Sequence, residues 1–287
     1  MKLLITGASG RLGRASADRL LERTDPGDLI LTTRDPGSLA DYAARGVEVR
    51  EADFERPETL PAAFAGADRV LLVSTDAIGR REAQHRAAIQ AATDAGVTFI
   101  AYTSFPSFGP DDLLSAEHAA TERQLRDSGL EWCILRNSAY ADNEVDALRQ
   151  AVASGELVSN TADGATSFVA RDDCAAVAAA VLAGSGHAGR TYDVTGPEAI
   201  DAEGRARIFS EVSGRPIAVR HVDDETAARE LSEAAGLPLP VALGMVGAIG
   251  RATRDGVFAT VTDVVERLTG RPATPLRAVL EAASTTG

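Results

Sequence analysis

The sequence predicts an α/β fold, a Rossmann-like doubly wound parallel sheet with a small C-terminal α/β lobe, and three observations carry that prediction. Short β-rich runs alternate with helical patterns through the first half of the chain. Runs such as "RVLLVS" and "VTFIAYTS" are continuously apolar, as strands are when helices cover both faces of a parallel sheet. The first run, "KLLIT", leads straight into the turn "GASGRLG" and then into an amphipathic pattern through Leu12, Ala15 and Leu20.

In chain order, strands are expected near 2–6, 28–33, 47–50, 69–74, 97–103 and 131–136, with helices near 11–23, 57–65, 79–95 and 113–128 between them. After residue 137 the alternation loosens. A helix at 142–154, an extended piece at "TSFVA", a helix at 171–183 and a strand at 191–196 come first; "DAEGRARIFSEVSG", "PIAVRHV" and three further helical stretches complete the chain. The expected division is a nucleotide-binding domain over 1–137, to which a strand and helix near 165–196 return, and a small substrate lobe made mostly of 138–287. The cleft between two such lobes is the default ligand site.

The glycines of the turn are Gly7, Gly10 and Gly13. In a strand–turn–helix context the first permits the tight turn, the second lets backbone approach a pyrophosphate, and the third allows close packing of helix on strand. Free N–H groups at the helix start, from Ser9 through Arg11, Leu12 and Gly13, then face the anion. The residue after strand 2 is Arg34, in "LILTTRDPGS", placed to accept a 2′-phosphate, which favours NADP(H) over NAD(H). The competing reading is a solvated arginine, with Asp35 turned inward to the ribose; otherwise Asp35 reads as an N-cap ahead of Pro36. Strand 3 ends at Asp53 and Phe54, which read equally as adenine contacts or as the entry to the helix near Pro57. Val73, Ser74 and Thr75 close strand 4 beside the expected pyrophosphate-to-nicotinamide stretch.

Composition excludes several function classes. A net charge of −13 disfavours nucleic acid and anionic membrane as partners. Two cysteines, Cys133 and Cys174, argue against a disulfide framework, a zinc site or an iron–sulfur cluster. No apolar run approaches the length of a membrane span and no secretory leader is read, so the expectation is a cytoplasmic protein without a metal. Lys2 is the sole lysine, which leaves no lysine for catalysis outside strand 1.

The stretches "ITGASGRLG", "TRDP", "ADFERPETL", "LLVST", "QHRAAIQAATDAGVTFIAYTS", "EHAATERQLRDSGLEWCILRN", "FVARDDCAAVAAAVL" and "YDVTGPEAI" resemble the NmrA-like, atypical short-chain dehydrogenase/reductases. Within them, the resemblance is nearest to the type 2 NAD(P)H:quinone oxidoreductases and triphenylmethane reductase. It spans nearly the whole chain and is most specific from Gln84 through Asn137. It implies NADP(H) bound by Gly7, Gly10, Arg11, Leu12, Arg34, Asp53, Ser74 and Tyr102, Thr103 and Ser104, with Asn137 and Tyr140 near the nicotinamide end as the candidate catalytic residues. It also implies a planar or conjugated small-molecule acceptor of the quinone kind. Ordinary short-chain dehydrogenases use a Tyr-x-x-x-Lys pair, and with Lys2 alone that pair cannot exist here. A ketone needs a positioned acid as hydride arrives, whereas a reduced quinone is a stabilised phenolate that solvent can protonate.

His118 and Glu122, four apart in "EHAATE", read as a hydrogen-bonded pair on a helix surface, as contacts to the nicotinamide ribose or as a proton path; His85 reads as structural. Tyr140 reads as a substrate contact or as a core tyrosine. The reading is thus an NADPH-dependent reductase. Two alternatives stay open: a non-catalytic NADP(H)-sensing regulator, and a reductase of an intermediate in a specialised pathway. These residues leave the acceptor and the oligomeric state, a homodimer included, undetermined.

Overall fold

The computed structural model of the chain describes residues 1–106 and 113–284. The first half runs β1 (Leu3–Ile5), α1 (Arg11–Leu21), β2 (Leu29–Thr33), α2 (Ala40–Ala43), β3 (Glu48–Glu51), α3 (Leu60–Phe64), β4 (Arg69–Leu72), α4 (Arg81–Asp94), β5 (Phe99–Ser104), α5 (Leu113–Asp127) and β6 (Glu131–Asn137). There follow α6 (Glu144–Ser154), β7 (Glu156–Ser159), α7 (Arg171–Ala183), β8 (Arg190–Val194), α8 (Ala202–Ser213) and β9 (Ala218–His221). Four helices close the chain: α9 (Asp224–Ala235), α10 (Leu239–Arg254), α11 (Val264–Thr269) and α12 (Leu276–Ser284).

Two compact units result. The first gathers Met1–Asn137, Arg171–Val194 and Val264–Arg271; the second holds Ser138–Ala170, Thr195–Asp263 and the chain from Pro272 onward. In the first unit seven parallel strands form one sheet in the order β3-β2-β1-β4-β5-β6-β8. Every residue of β1, β2 and β5 is buried, which is the physical reason those strands are continuously apolar. One face carries α3 and α4 over a core of Leu4, Ile30, Phe64, Leu72, Ile89, Ile100 and Tyr102. The other face carries α7, packed between α1 and α11. Strand order reverses between β1 and β4, so the carboxyl ends of these two strands flank the crevice where a doubly wound sheet takes its ligand.

In the second unit β7 and β9 pair in parallel, and α6, α8 and α12 bury Leu148, Phe209, Leu276 and Leu280 around them. Helix α10 packs on α9, and Arg254 reaches back to Asp224 with two N–H···O bonds of 3.0 Å. The segment at 166–170 is extended. It pairs at Tyr140 with Val169 and at Thr166 with Ile200.

The structure differs from the sequence expectations at particular places. Strand β7, "ELVS", was not anticipated: its four residues start exposed and bury only two side chains, too short a pattern to register. The closing stretch holds four helices rather than three. Strand β4 ends at Leu72, two residues early, because the backbone beyond it bonds to side chains instead of to a neighbouring strand.

Candidate functional site

The candidate cofactor residues lie at or just beyond the carboxyl ends of parallel strands. After β1 the chain enters the turn with Gly7 at φ +58°, a conformation that glycine takes at no steric cost. Ala8 N donates to Thr32 O at 2.9 Å and Gly10 N to Gly7 O at 3.0 Å, folding the turn back on itself. Gly10 then caps α1 with no side-chain hydrogen bond, so that among the described residues no side chain caps the first-turn N–H groups of Arg11, Leu12 and Gly13. The three glycines do different work. A Cβ at Gly13 would sit 2.4 Å from Gly7 O and 2.7 Å from Ala8 Cα, so this glycine is required by the backbone itself. A Cβ at Gly10 would meet only Gly7 O, at 3.3 Å; its missing side chain opens room outside the turn. This arrangement of uncapped N–H groups and a bare backbone fits the pyrophosphate of a dinucleotide.

Ser9 lies exposed on the turn and its Oγ accepts from Thr33 Oγ1 at 2.9 Å, tying the turn to the end of β2. Arg34, one residue further, is exposed, and its guanidinium makes no hydrogen bond or ion pair among the described residues. Asp35 does not turn inward: Oδ1 accepts from Gly37 N at 3.0 Å, capping a 3-10 turn that Pro36 opens. Asp53 likewise closes a local turn, accepting from Glu55 N at 3.0 Å and from Arg56 Nε at 3.1 Å. The Glu55 amide first, and then the Arg56 guanidinium, hold its carboxyl below the usual range; the charge of Arg34 adds to this, which places Arg34 on the same edge. Phe54 is half-buried against the core below α3 and α4.

Beyond β4, Val73, Ser74 and Thr75 are half-buried. Beyond the middle of β5 the side chains alternate. Thr103 is buried and its Oγ1 accepts from Ser74 N at 2.9 Å. The ring of Tyr102 is fully buried in the core, and its hydroxyl bonds His118 Nδ1 at 2.7 Å. Ser104 Oγ donates to Glu122 Oε1 at 2.8 Å.

His118 and Glu122 are not a surface pair. Both are buried, and each reaches a different partner on β5. Glu122 also accepts from Arg136 Nε at 2.9 Å and Nη2 at 2.7 Å, and from Arg126 Nη2 at 3.1 Å. Asn137 ends β6, buried in the first unit, while Tyr140 is half-buried in the second, its backbone held by the pairing with Val169. Lys2 lies at the opposite end of β1 from the glycine turn, where its Nζ donates to Gly27 O and pairs with Glu48 at 3.7 Å. No group of His, Cys, Asp and Glu able to hold a metal ion occurs among the described residues, and no helix there is long and apolar enough to cross a membrane.

Sequence reasoning missed the polar cluster under Thr75, formed by Arg81, Gln84 and His85 of α4 with Glu117 and Thr121 of α5. Arg81, Gln84, His85 and Ala88 share one helical face, and that spacing of polar residues running into Ala88 and Ala92 was the available signal.

The chain is similar from end to end to several named reductases. Residues 7–184 match a family described as NAD(P)H-binding. Quinone oxidoreductase 2 of Escherichia coli (strain K12) is 32% identical over 275 residues, 96% of each chain. A (4-alkanoyl-5-oxo-2,5-dihydrofuran-3-yl)methyl phosphate reductase of Streptomyces griseus is 32% identical, covering 96% of this chain and 95% of its own. The crystal structure of triphenylmethane reductase from Citrobacter sp., complexed with NADP(H), superposes with a TM-score of 0.90 at 33% identity over 98% of this chain and all of the other. Fold, turn and end-to-end similarity agree: the chain belongs to the NAD(P)H-binding family and is an NAD(P)H-dependent oxidoreductase related to the NmrA-like quinone reductases.

Proposed function

We propose that the protein passes hydride from NADPH to a quinone-like or otherwise conjugated small-molecule acceptor without a Tyr-x-x-x-Lys pair. One observation carries this reading: the chain's single lysine is committed to Gly27 and Glu48 at the amino end of β1. A simple ketone yields an alkoxide, which demands a strong acid nearby. A quinone yields a delocalised phenolate, an oxo-dihydrofuran an enolate and a triphenylmethane cation a neutral product. These three acceptors place little demand on a protein acid.

The dinucleotide, when bound, supplies the hydride. The glycine turn would hold its pyrophosphate on the N–H groups of Arg11, Leu12 and Gly13, with Ser9 on the exposed rim. Arg34, exposed and unbonded in the structure, would take the 2′-phosphate. Asp53 and Phe54 would border the adenine; Val73, Ser74, Thr75 and the backbone of Tyr102, Thr103 and Ser104 would border the ribose and nicotinamide. Asn137 and Tyr140 would orient the acceptor, so that placement does most of the catalytic work. In this reading residues 1–137, with the strand and helix returning near 165–196, serve the cofactor, and most of 138–287 serves the acceptor.

The test is NADPH oxidation followed by absorbance against a panel of quinones, conjugated enones and simple ketones. Turnover on the conjugated members alone is the expected outcome. Brisk reduction of a simple ketone, or tight NADPH binding without turnover on any member, overturns the reading.

A further inference from the structure

Three successive backbone N–H groups beyond β4 are each taken by a side chain from a different element. Val73 N donates to Thr6 Oγ1 of the β1 turn at 3.0 Å, Ser74 N to Thr103 Oγ1 of β5 at 2.9 Å, and Thr75 N to His85 Nε2 of α4 at 3.2 Å. Thr75 is also held at its two other polar atoms. Its Oγ1 donates to Gln84 Oε1 at 2.7 Å and its carbonyl accepts from Arg81 Nε at 2.8 Å. The face of α4 that carries residues 81, 84 and 85 therefore grips one residue of the crevice from three sides.

We infer that His85 is a positioning residue for the cofactor, its neutral imidazole completing the side-chain scaffold that holds Val73–Thr75 in place at the switch point. This rests on the NADPH reading above. The protonation state follows from geometry. An amide N–H can only donate, so Nε2 must be unprotonated, and the ring hydrogen sits on Nδ1, 2.9 Å from Thr121 Oγ1. Thr121 Oγ1 in turn donates to Glu117 O at 3.0 Å, leaving a lone pair for the imidazole. Below this, Glu117 accepts from Arg81 N at 3.0 Å and Nη1 at 3.3 Å, in an ion pair whose side chains are 7% and 5% exposed. Such a pair contributes little net stability, since desolvation offsets its attraction. What the cluster supplies is direction: each donor on the Val73–Thr75 segment is consumed inward, so the segment presents no backbone N–H to an anion. Phosphate binding is left to the glycine turn, and Val73–Thr75 becomes a fixed floor for the sugar and nicotinamide.

The experiment compares His85→Leu, His85→Gln and Thr121→Val in the full chain, by fluorescence titration of NADPH, by steady-state kinetics and by hydrogen exchange of a peptide spanning 73–79. His85→Leu leaves the part-buried Thr75 N–H without its acceptor and should raise the NADPH Kd about tenfold. Exchange at Thr75 should accelerate, and kcat at saturating NADPH should stay within about twofold. His85→Gln restores an acceptor at similar reach and should return Kd to within about threefold of wild type. Thr121→Val removes the Nδ1 partner, together with that hydroxyl's bond to Glu117 O, and leaves the Thr75 contact in place; it should move Kd in the same direction by less, and it decides the matter if His85→Leu does not fold. Wild-type NADPH affinity in a folded His85→Leu, or in Thr121→Val where the former fails to fold, overturns the inference and leaves His85 a core residue. The titration needs no acceptor, so a panel without turnover would end the acceptor reading while this result stood apart from it.

Discussion

Tyr102 on β5 and His118 on α5 are joined inside the core by a 2.7 Å bond between hydroxyl and Nδ1, and the ring of His85 meets the same tyrosine edge-on with centroids 5.3 Å apart. Two imidazoles thus flank one phenol inside the core. Burial pushes both histidines down to about 3, reinforced at His85 by His118 and Arg81, and at His118 by Arg81 against the opposing charge of Glu122. The same burial raises the tyrosine hydroxyl, so this trio is a neutral packing element rather than an acid.

Acid sensitivity follows. Between about pH 6.5 and 3 the unfolded chain protonates these histidines while the folded chain does not, so stability falls as pH falls. Each histidine contributes a slope of about 1.4 kcal/mol per pH unit within that window. Urea unfolding at pH 7.5, 6 and 5 should show wild type losing stability, and His118→Gln should show a shallower slope. A flat profile between pH 7.5 and 5 in wild type would refute the neutral assignment.

The glycine turn separates a folding requirement from a binding one. Gly13→Ala drives a Cβ into the Gly7 carbonyl and the Ala8 Cα, atoms that cannot step aside, and should cost about 3 kcal/mol or more. Gly10 has an ordinary φ of −75°, so Gly10→Val should fold and yet lose NADPH binding. Thermal unfolding beside NADPH titration distinguishes the two variants. Normal binding by folded Gly10→Val would reduce the turn to a corner.

How much of this was legible beforehand depends on whether a residue's burial shows in its neighbours. Strands β1, β2 and β5 are buried on both sides, so their composition alone announced them, and Gly7 and Gly13 announced the turn that they make possible. His118 and Glu122 were misread as surface residues because α5 offers no strong apolar stripe: the alanines between them leave its inward face undeclared. Arg81 and Gln84, and with them the cluster that His85 joins, escaped notice for a related reason. A polar helix face reads as solvated unless one knows that Thr75 lies beneath it.

Arg34 bears on cofactor choice. It is exposed, unpaired and on the same edge as Asp53, so Arg34→Ala should weaken NADPH by about 10- to 100-fold, the usual range for a charge-assisted phosphate contact, and leave NADH nearly unchanged. Titration of both nucleotides into both proteins measures it. Equal affinities for NADPH and NADH in wild type would remove the assignment.

Glu122 should govern stability more than its place on a helix implies. Burial opposes its charge, yet bonds from Arg136 and Ser104, the Arg136 charge and Arg126 outweigh that, holding its carboxyl below the usual range. A depressed carboxylate stabilises the fold above its unfolded pKa and loses that contribution as pH falls through the folded one. Glu122→Gln keeps the shape and an acceptor oxygen but takes from Arg136, itself about a third exposed, its bonded carboxylate, leaving the charge of Asp193 acting on it; the expected cost at pH 7 is about 2 kcal/mol, less than for a fully buried pair. The variant should also lose part of the wild-type stability change below pH 4.5, where Glu122 no longer contributes its own proton uptake. Urea unfolding at pH 7 and pH 3.5 measures both effects. Unchanged stability at pH 7 would mean that Arg136 is satisfied by water, and that Ser104 is held by β5 alone.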